Sequence, residues 1–261
     1  MNTDSEDAMA KKAFAIGAHP DDIEFMMAGT LILLCQAGYE IHTMTVANGS
    51  CGTSQHDVET ITRTRREESI RAAEFAGAVY HESLVNDIEI FYEKGLLQRL
   101  GAVIREVAPE IVLTHATYDY MEDHTNTCRL VLTAAFTRGM PNFPVEPARP
   151  PVNQPVTIYH ALPYGLRDPL RRPVRPEMYV DVTDVMQAKR QMLSQHRSQK
   201  EWLDASQGLD SYLVTMERMC RDIGRLSGRY EYAEGWTRHL HLGYCDEDAH
   251  PLLAALPDRC L

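Results

Sequence analysis

The chain has 261 residues, 44% of them hydrophobic and 24% charged, the composition of an ordinary globular protein long enough for one large core. Its 26 Lys and Arg against 37 Asp and Glu leave a formal net charge of −11, which argues against a nucleic-acid surface and suits a neutral or cationic small substrate. The longest aliphatic run, Leu31–Leu34, is far too short to span a bilayer. The polar opening "MNTDSEDAMAKK" has no apolar signal core, and the six cysteines form no CxxC pair, so a reducing cytoplasm is expected.

Residues 1–11 are expected to be a flexible terminus. "KKAFAIGA" then predicts a short buried strand, and "DIEFMMAGTLILLCQAG" a helix that stops at Gly38. "YEIHTMTVA" predicts a second strand, followed by the polar loop "NGSCGTSQHD" and a helix over "VETITRTRREESIRAAEFAG", closed by Gly77. A short strand in "AVYHESL", a helix in "GLLQRLGAVIREVAP", a strand in "EIVLTHA" and a helix from His124 in "HTNTCRLVLTAAFTRG" continue the alternation.

Strands alternating with helices of this length predict βαβ units: an α/β, Rossmann-like, doubly wound and mostly parallel sheet. The first strand–helix turn reads "GAHPDD" rather than GxGxxG, which makes a nicotinamide or flavin site a poor expectation. From Gly139 the texture changes. "GMPNFPVEPARPPVNQP" carries six prolines and is neither helix nor central strand. Residues 139–180 are expected to supply substrate or interface loops. "VTIYHA" and "EMYVDV" predict further strands, and residues 183–227 a mostly helical segment. The expectation is a single domain over 1–261 with a decorated C-terminal third.

In open α/β sheets, ligands bind outside the carboxyl ends of the strands. That rim would gather "HPDD", "NGSCG" and "THATYDYMEDH". A catalytic zinc takes three protein ligands from His, Asp or Glu and leaves an open position. His19 and Asp22 can point to one centre across the turn, with Pro20 biasing His19 towards extended backbone. His124 can add a third ligand, and Asp21 a carboxylate beside the metal. The plainer alternative has Asp21 or Asp22 capping the helix near Ile23, and Asp123 capping the one at His124.

Together these residues resemble a family. "AHPDDIEFMMAGT", with "RREESIRAAEFAG", "DYMEDHTNTCRLV", "HRSQ" and "RYEYAEGW", is similar to the zinc-dependent de-N-acetylases of the LmbE / PIG-L type, over residues 13 to about 240. The resemblance implies removal of acetyl groups from N-acetylglucosamine-type sugars and glycoconjugates. It implies Zn2+ on His19, Asp22 and His124, Asp21 as general base, and Arg65 on substrate hydroxyls, where the bland alternative pairs Arg65 with Glu68. Asp123, next to His124, is a catalytic-site candidate that would either cap its helix or, from behind the site, fix one of the site residues. Many family members carry a histidine where this chain has Met121, which can neither donate a strong hydrogen bond nor carry a proton. His115, His196 and His239 (or His241) are the candidate substitutes. Cys128 suits a buried apolar filler better than a ligand. Arg167, Arg171, Arg172 and Arg175 form a basic patch that fits an anionic substrate group, a solvated loop or a subunit contact. An amidase for a larger acyl group or a sugar–thiol conjugate, or a catalytically weakened binding homologue, remain alternatives. No nucleic acid or membrane partner is expected, and a homo-oligomer is compatible with the proline-rich arm.

Overall fold

The computed structural model describes residues 10–200, 202 and 211–261. The chain forms a seven-stranded sheet in the order β3-β2-β1-β4-β5-β7-β6. Its strands are β1 (Lys12–Gly17), β2 (Glu40–Thr45), β3 (Val79–His81), β4 (Ile111–Thr114), β5 (Thr157–Ala161), β6 (Met178–Asp181) and β7 (Ala233–Arg238). The first five pair in parallel, whereas β7 runs antiparallel to both β5 and β6. This matches the mostly parallel α/β expectation; β7 was not anticipated from sequence.

Period-two alternation in β1 divides the core. Ala13 and Ala15 face an apolar layer built from α2 (Ala28–Gln36), α6 (Met186–Leu193), α7 (Ser211–Ser227) and α8 (Pro251–Ala255), among them Leu31, Leu193, Met216 and Leu252. Phe14 and Ile16 face Leu100, Ile104, Leu130 and Val131 of α4 (Lys94–Val107) and α5 (Glu122–Phe136). α3 (Val58–Phe75) joins the first layer through Ala72, which packs on Ala28 and Met192. Both faces are therefore covered, as buried parallel strands require.

The first predicted helix is two helices. α1 (Asp22–Met26) ends at Met27, whose φ is −130°, and α2 begins at once. The cause lies far along the chain. The Glu234 carboxylate in β7 accepts from the Gly29 and Thr30 amides at 2.8 Å each, and the buried Lys189 ammonium balances its charge. Trp236 of β7, wholly buried, donates to Thr30 Oγ1 at 3.0 Å. α2 ends as expected, with Gly38 at φ +89° and Tyr39 N donating to Leu34 O.

The predicted C-terminal helical segment is present as α6, residues 197–200 and α7; residues 203–210, like most of the 1–11 terminus, lie outside the described residues. The proline-rich stretch is pinned rather than free. Arg105 donates to the carbonyls of Thr137, Met140, Phe143 and Arg149, and Arg138 to those of Gln154, Gly243 and Tyr244. All six cysteines are free thiols. Among the described residues no helix is long and apolar enough to cross a membrane.

Candidate active site

The order β3-β2-β1 on one side and β4-β5 on the other makes the β1/β4 boundary the point where the winding reverses, and ligand crevices open there. The turn after β1 carries His19 and Asp21, with Asp22 opening α1, and the loop after β4 carries Asp119, with Asp123 and His124 in the first turn of α5. A cavity of about 720 Å³ opens over both, lined by His19, Asp21, Asp22, Arg65, Met121 and His124 among others.

Neither aspartate of the first turn caps α1 through its side chain. Asp22 instead folds back, its Oδ2 accepting from the amides of Ala18 (3.1 Å) and His19 (2.7 Å). It lies 3.6 Å from His19 Nδ1, while its Oδ1 lies 3.4 Å from His124 Nε2. The outer ring nitrogens of the two histidines are held by carboxylates. His19 Nε2 donates to Asp123 Oδ2 at 2.9 Å, and His124 Nδ1 to Asp119 Oδ1 at 3.1 Å. Each ring thus turns its other nitrogen inward towards Asp22, the arrangement in which metal-ligating histidines are held. His19, Asp22 and His124 offer three donor atoms within 4.8 Å of one another.

The electrostatics say the same. Burial opposes protonating His19 and His124, yet the surrounding carboxylates prevail. Asp123 and Asp22 bring His19 up to about 9, and Asp22 and Asp119 bring His124 up to about 10. Burial likewise works against ionising Asp22, but His124 and His115 hold its carboxyl well below the usual range. The cluster draws positive charge to its centre, and its donor set of two imidazoles and a carboxylate fits zinc or a similar divalent ion.

Asp21 faces the other way. At φ 107° its backbone is left-handed, and its Oδ2 accepts from Tyr212 Oη at 2.6 Å while Oδ1 lies 3.5 Å from Arg65 Nη2. Burial and the charge of Asp22 raise its pKa, against the pull of Arg65. Arg65 is 2% exposed and also donates to the Pro20 carbonyl. Its suggested partner Glu68 is occupied elsewhere, accepting from Ser198 N (2.9 Å) and Oγ (2.6 Å). Gly49 makes room for it, since a Cβ there would lie 2.4 Å from Arg65 Cδ.

Several expectations need correction. Asp123 does not cap α5, which starts at Glu122 after Met121. Of its two readings the geometry agrees with the other, a partner that fixes a site residue. That residue is His19 rather than the adjacent His124, and Ile88 N also donates to Asp123 at 2.8 Å. The residue that orients His124 is Asp119, which sequence reasoning missed. The only signal was an aspartate between strand end and helix start in "TYDYMEDH". None of His115, His196 and His239 lines the cavity. His115 Nε2 accepts from Ala18 N at 2.8 Å and its ring stacks on His124, with centroids 4.1 Å apart. His196 is buried beside Glu24, 3.3 Å away, and His239 bonds His160 at 3.0 Å. Of the basic patch only Arg167 reaches the cavity, and no residue of 139–155 does. Cys128 is buried, its thiol pushed up to about 12 by burial, as befits a filler.

Fold and site together define a doubly wound α/β protein with a His/Asp cluster able to hold a cation at its switch point. Residues 14–135 match the family described as PIG-L, GlcNAc-PI de-N-acetylase. A diacetylchitobiose deacetylase from Thermococcus kodakarensis is 29% identical over 235 residues, covering 86% of this chain and 82% of that protein. A 4-oxalmesaconate hydratase from Pseudomonas putida is 28% identical over 187 residues, covering 69% and 70%. In fold, the N,N′-diacetylchitobiose deacetylase of Pyrococcus horikoshii superposes with a TM-score of 0.75 at 23% identity, over 94% of this chain and 89% of that one. Over residues 14–135, therefore, the chain resembles the PIG-L, or LmbE-like, family, and its relatives include a deacetylase and a hydratase.

Proposed function

We propose that the chain works as one cytoplasmic domain, a zinc-dependent hydrolase that removes the N-acetyl group from an N-acetylglucosamine-type sugar or glycoconjugate. The observation that carries this is the pair of histidines held from behind by Asp123 and Asp119 so that both face Asp22, with Asp21 alongside. His19, Asp22 and His124 would hold the ion, which when bound supplies Lewis acidity, polarising the amide carbonyl and bringing the pKa of water to about 7. Asp21, its pKa raised by burial, accepts one proton from the attacking water. The water oxygen bonds to the acyl carbon, the C–N bond breaks, and Asp21 returns the proton to the departing nitrogen. Arg65 holds Asp21 in place beside the Pro20 carbonyl, and its guanidinium forms part of the cavity wall, where a substrate hydroxyl would meet it.

The hydratase relative supports a second reading, addition of water to an unsaturated oxo-acid, which also needs activated water. Charge weighs against it. The cavity wall carries Asp21, Asp22, Asp87 and Asp168 against Arg65, Arg167 and the divalent ion, which leaves no excess of positive charge to receive a polycarboxylate. The deciding experiment measures acetate release from N-acetylglucosamine and diacetylchitobiose by metal-loaded protein, alongside ultraviolet loss of 4-oxalmesaconate. Acetate release that disappears in Asp21→Asn with metal retained, and metal loss in Asp22→Ala, are expected. Hydration without acetate release would overturn the proposal in favour of the second reading.

A further inference from the structure

One side of the cavity is a file of aromatic rings. Tyr212, bonded to Asp21, has its ring 5.8 Å from Phe25; Phe25 lies 5.5 Å from Tyr164, and Tyr164 lies 6.2 Å from Tyr120. Tyr120 then meets His124 edge-on at 5.8 Å, so the file runs from Asp21 round to the cation site. The polar groups able to engage a sugar, Arg65 and Asp87, line the same cavity near its base. The outer rings are uncovered: Tyr120 is 57% exposed and Tyr164 42%. The two rings pack on each other with their planes inclined at 52°, so that they form a continuous aromatic wall on whose uncovered side a flat ring can stack. Ile88 completes the mouth with its side chain 65% exposed, in a left-handed conformation (φ 64°) that a β-branched residue rarely adopts. At about 720 Å³ the cavity is in the range of roughly 300–1,000 Å³ that holds drug-sized ligands, more than the acylated sugar ring alone calls for.

We propose that the substrate is an amino-sugar conjugate with an aromatic aglycone, seated against the exposed rings of Tyr120 and Tyr164 while the acetamido group meets Asp21 and the candidate cation site. This rests on the deacetylase reading, and two readouts separate the failure of one from that of the other. The first is kcat/KM of the zinc-loaded enzyme on N-acetylglucosamine glycosides carrying a methyl or a para-nitrophenyl aglycone, with diacetylchitobiose as a third substrate. The second is equilibrium binding of the corresponding deacetylated methyl and para-nitrophenyl glycosides, which needs no turnover. The aryl compound should lead the methyl one by about tenfold or more in both. Tyr164→Leu and Tyr120→Leu, which keep apolar bulk but remove the ring, should bring the ratio below about threefold. Acetate release with ratios within twofold would overturn the aromatic seat and leave deacetylation standing, as would diacetylchitobiose outranking the aryl glycoside. Tighter aryl binding with no acetate from any glycoside would overturn the deacetylase reading, and with it the substrate assignment, while leaving the aromatic seat.

Discussion

Asp119 offers the sharpest test of how the cation site is held. Its Oδ1 accepts from His124 Nδ1 and from Met121 N, each at 3.1 Å, and the residue is 7% exposed. The bond fixes which nitrogen of His124 bears the proton and leaves Nε2 facing Asp22. Asp119→Asn keeps the shape and an oxygen acceptor but loses the charge. Asp119→Ala loses the acceptor as well and leaves a buried N–H unpaired. Partners of metal-bound histidines typically contribute 10–100-fold to affinity, so about tenfold weaker zinc binding is expected for the asparagine and about a hundredfold for the alanine, roughly 1.4 and 2.8 kcal/mol. Competition against a chelator of known affinity measures this directly, with thermal unfolding of the metal-free variants to confirm that they fold. If folded Asp119→Ala bound zinc within twofold of wild type, the proposal that Asp119 positions His124 as a ligand would be wrong.

Gly49→Ala should act through Arg65: the new Cβ meets the guanidinium stem at 2.4 Å on a backbone at φ +80°, so a KM increase of about tenfold and about 1–3 kcal/mol of lost stability in urea unfolding are expected. Lys189→Met leaves Glu234 buried without its cation and should cost about 3–5 kcal/mol by the same measurement, with a loss under 1 kcal/mol counting against the pairing. His160 is kept neutral by burial, which lowers its pKa to about 4 in the fold against 6.5 unfolded. The unfolded chain therefore binds the proton first, and stability falls as pH drops from about 6.5 to 4, by at most about 3 kcal/mol from this residue. His160→Gln should flatten that part of the melting-temperature profile, and an unchanged slope would contradict the assignment.

The core α/β alternation was legible because each of its elements declares itself locally: apolar runs for the buried strands, helical periodicity and glycine stops between them. The cation site was legible for a related reason. The loops after β1 and β4 lie at adjacent strand ends whatever the details of packing, so "HPDD" and "DH" could be brought together from topology alone. What escaped depends on distant partners. The split at Met27 reflects Glu234, more than 200 positions away, holding Gly29 and Thr30. β7 reads "AEGWTR", with a glycine and three polar residues, and is a strand because β5 and β6 leave a slot for it. Asp123 is not the cap of α5 because that helix starts two residues earlier than expected, placing Asp123 within its first turn and against His19. The aromatic file draws on residues from α1, the β4–α5 loop, the segment after β5 and α7, and no spacing in the sequence announces it.

The two aspartates of "HPDD" show how one turn yields two chemical environments. Were both to follow helical geometry they would sit about 100° apart in the first turn of α1, each beside its free amides and neither set apart from the other in charge environment. The left-handed backbone at Asp21 breaks that equivalence. It sends one carboxylate to Tyr212 and Arg65 and leaves the other to fold back onto the Ala18 and His19 amides. Such a conformation costs of order 1–3 kcal/mol and survives only where neighbours over-determine it. Here they do: Asp21 O accepts from Phe25 N at 2.8 Å, Pro20 O accepts from Arg65, and Asp22 closes the turn from the other side. The consequence is a difference in charge state set by position. Asp22, surrounded by imidazoles, stays ionised far below neutral pH, while Asp21, buried beside that fixed negative charge, has its affinity for a proton raised. A carboxylate that binds a cation must not take up protons, and one that relays a proton must be able to hold it. The strained turn separates those two requirements between adjacent residues, which a relaxed helix start could not do.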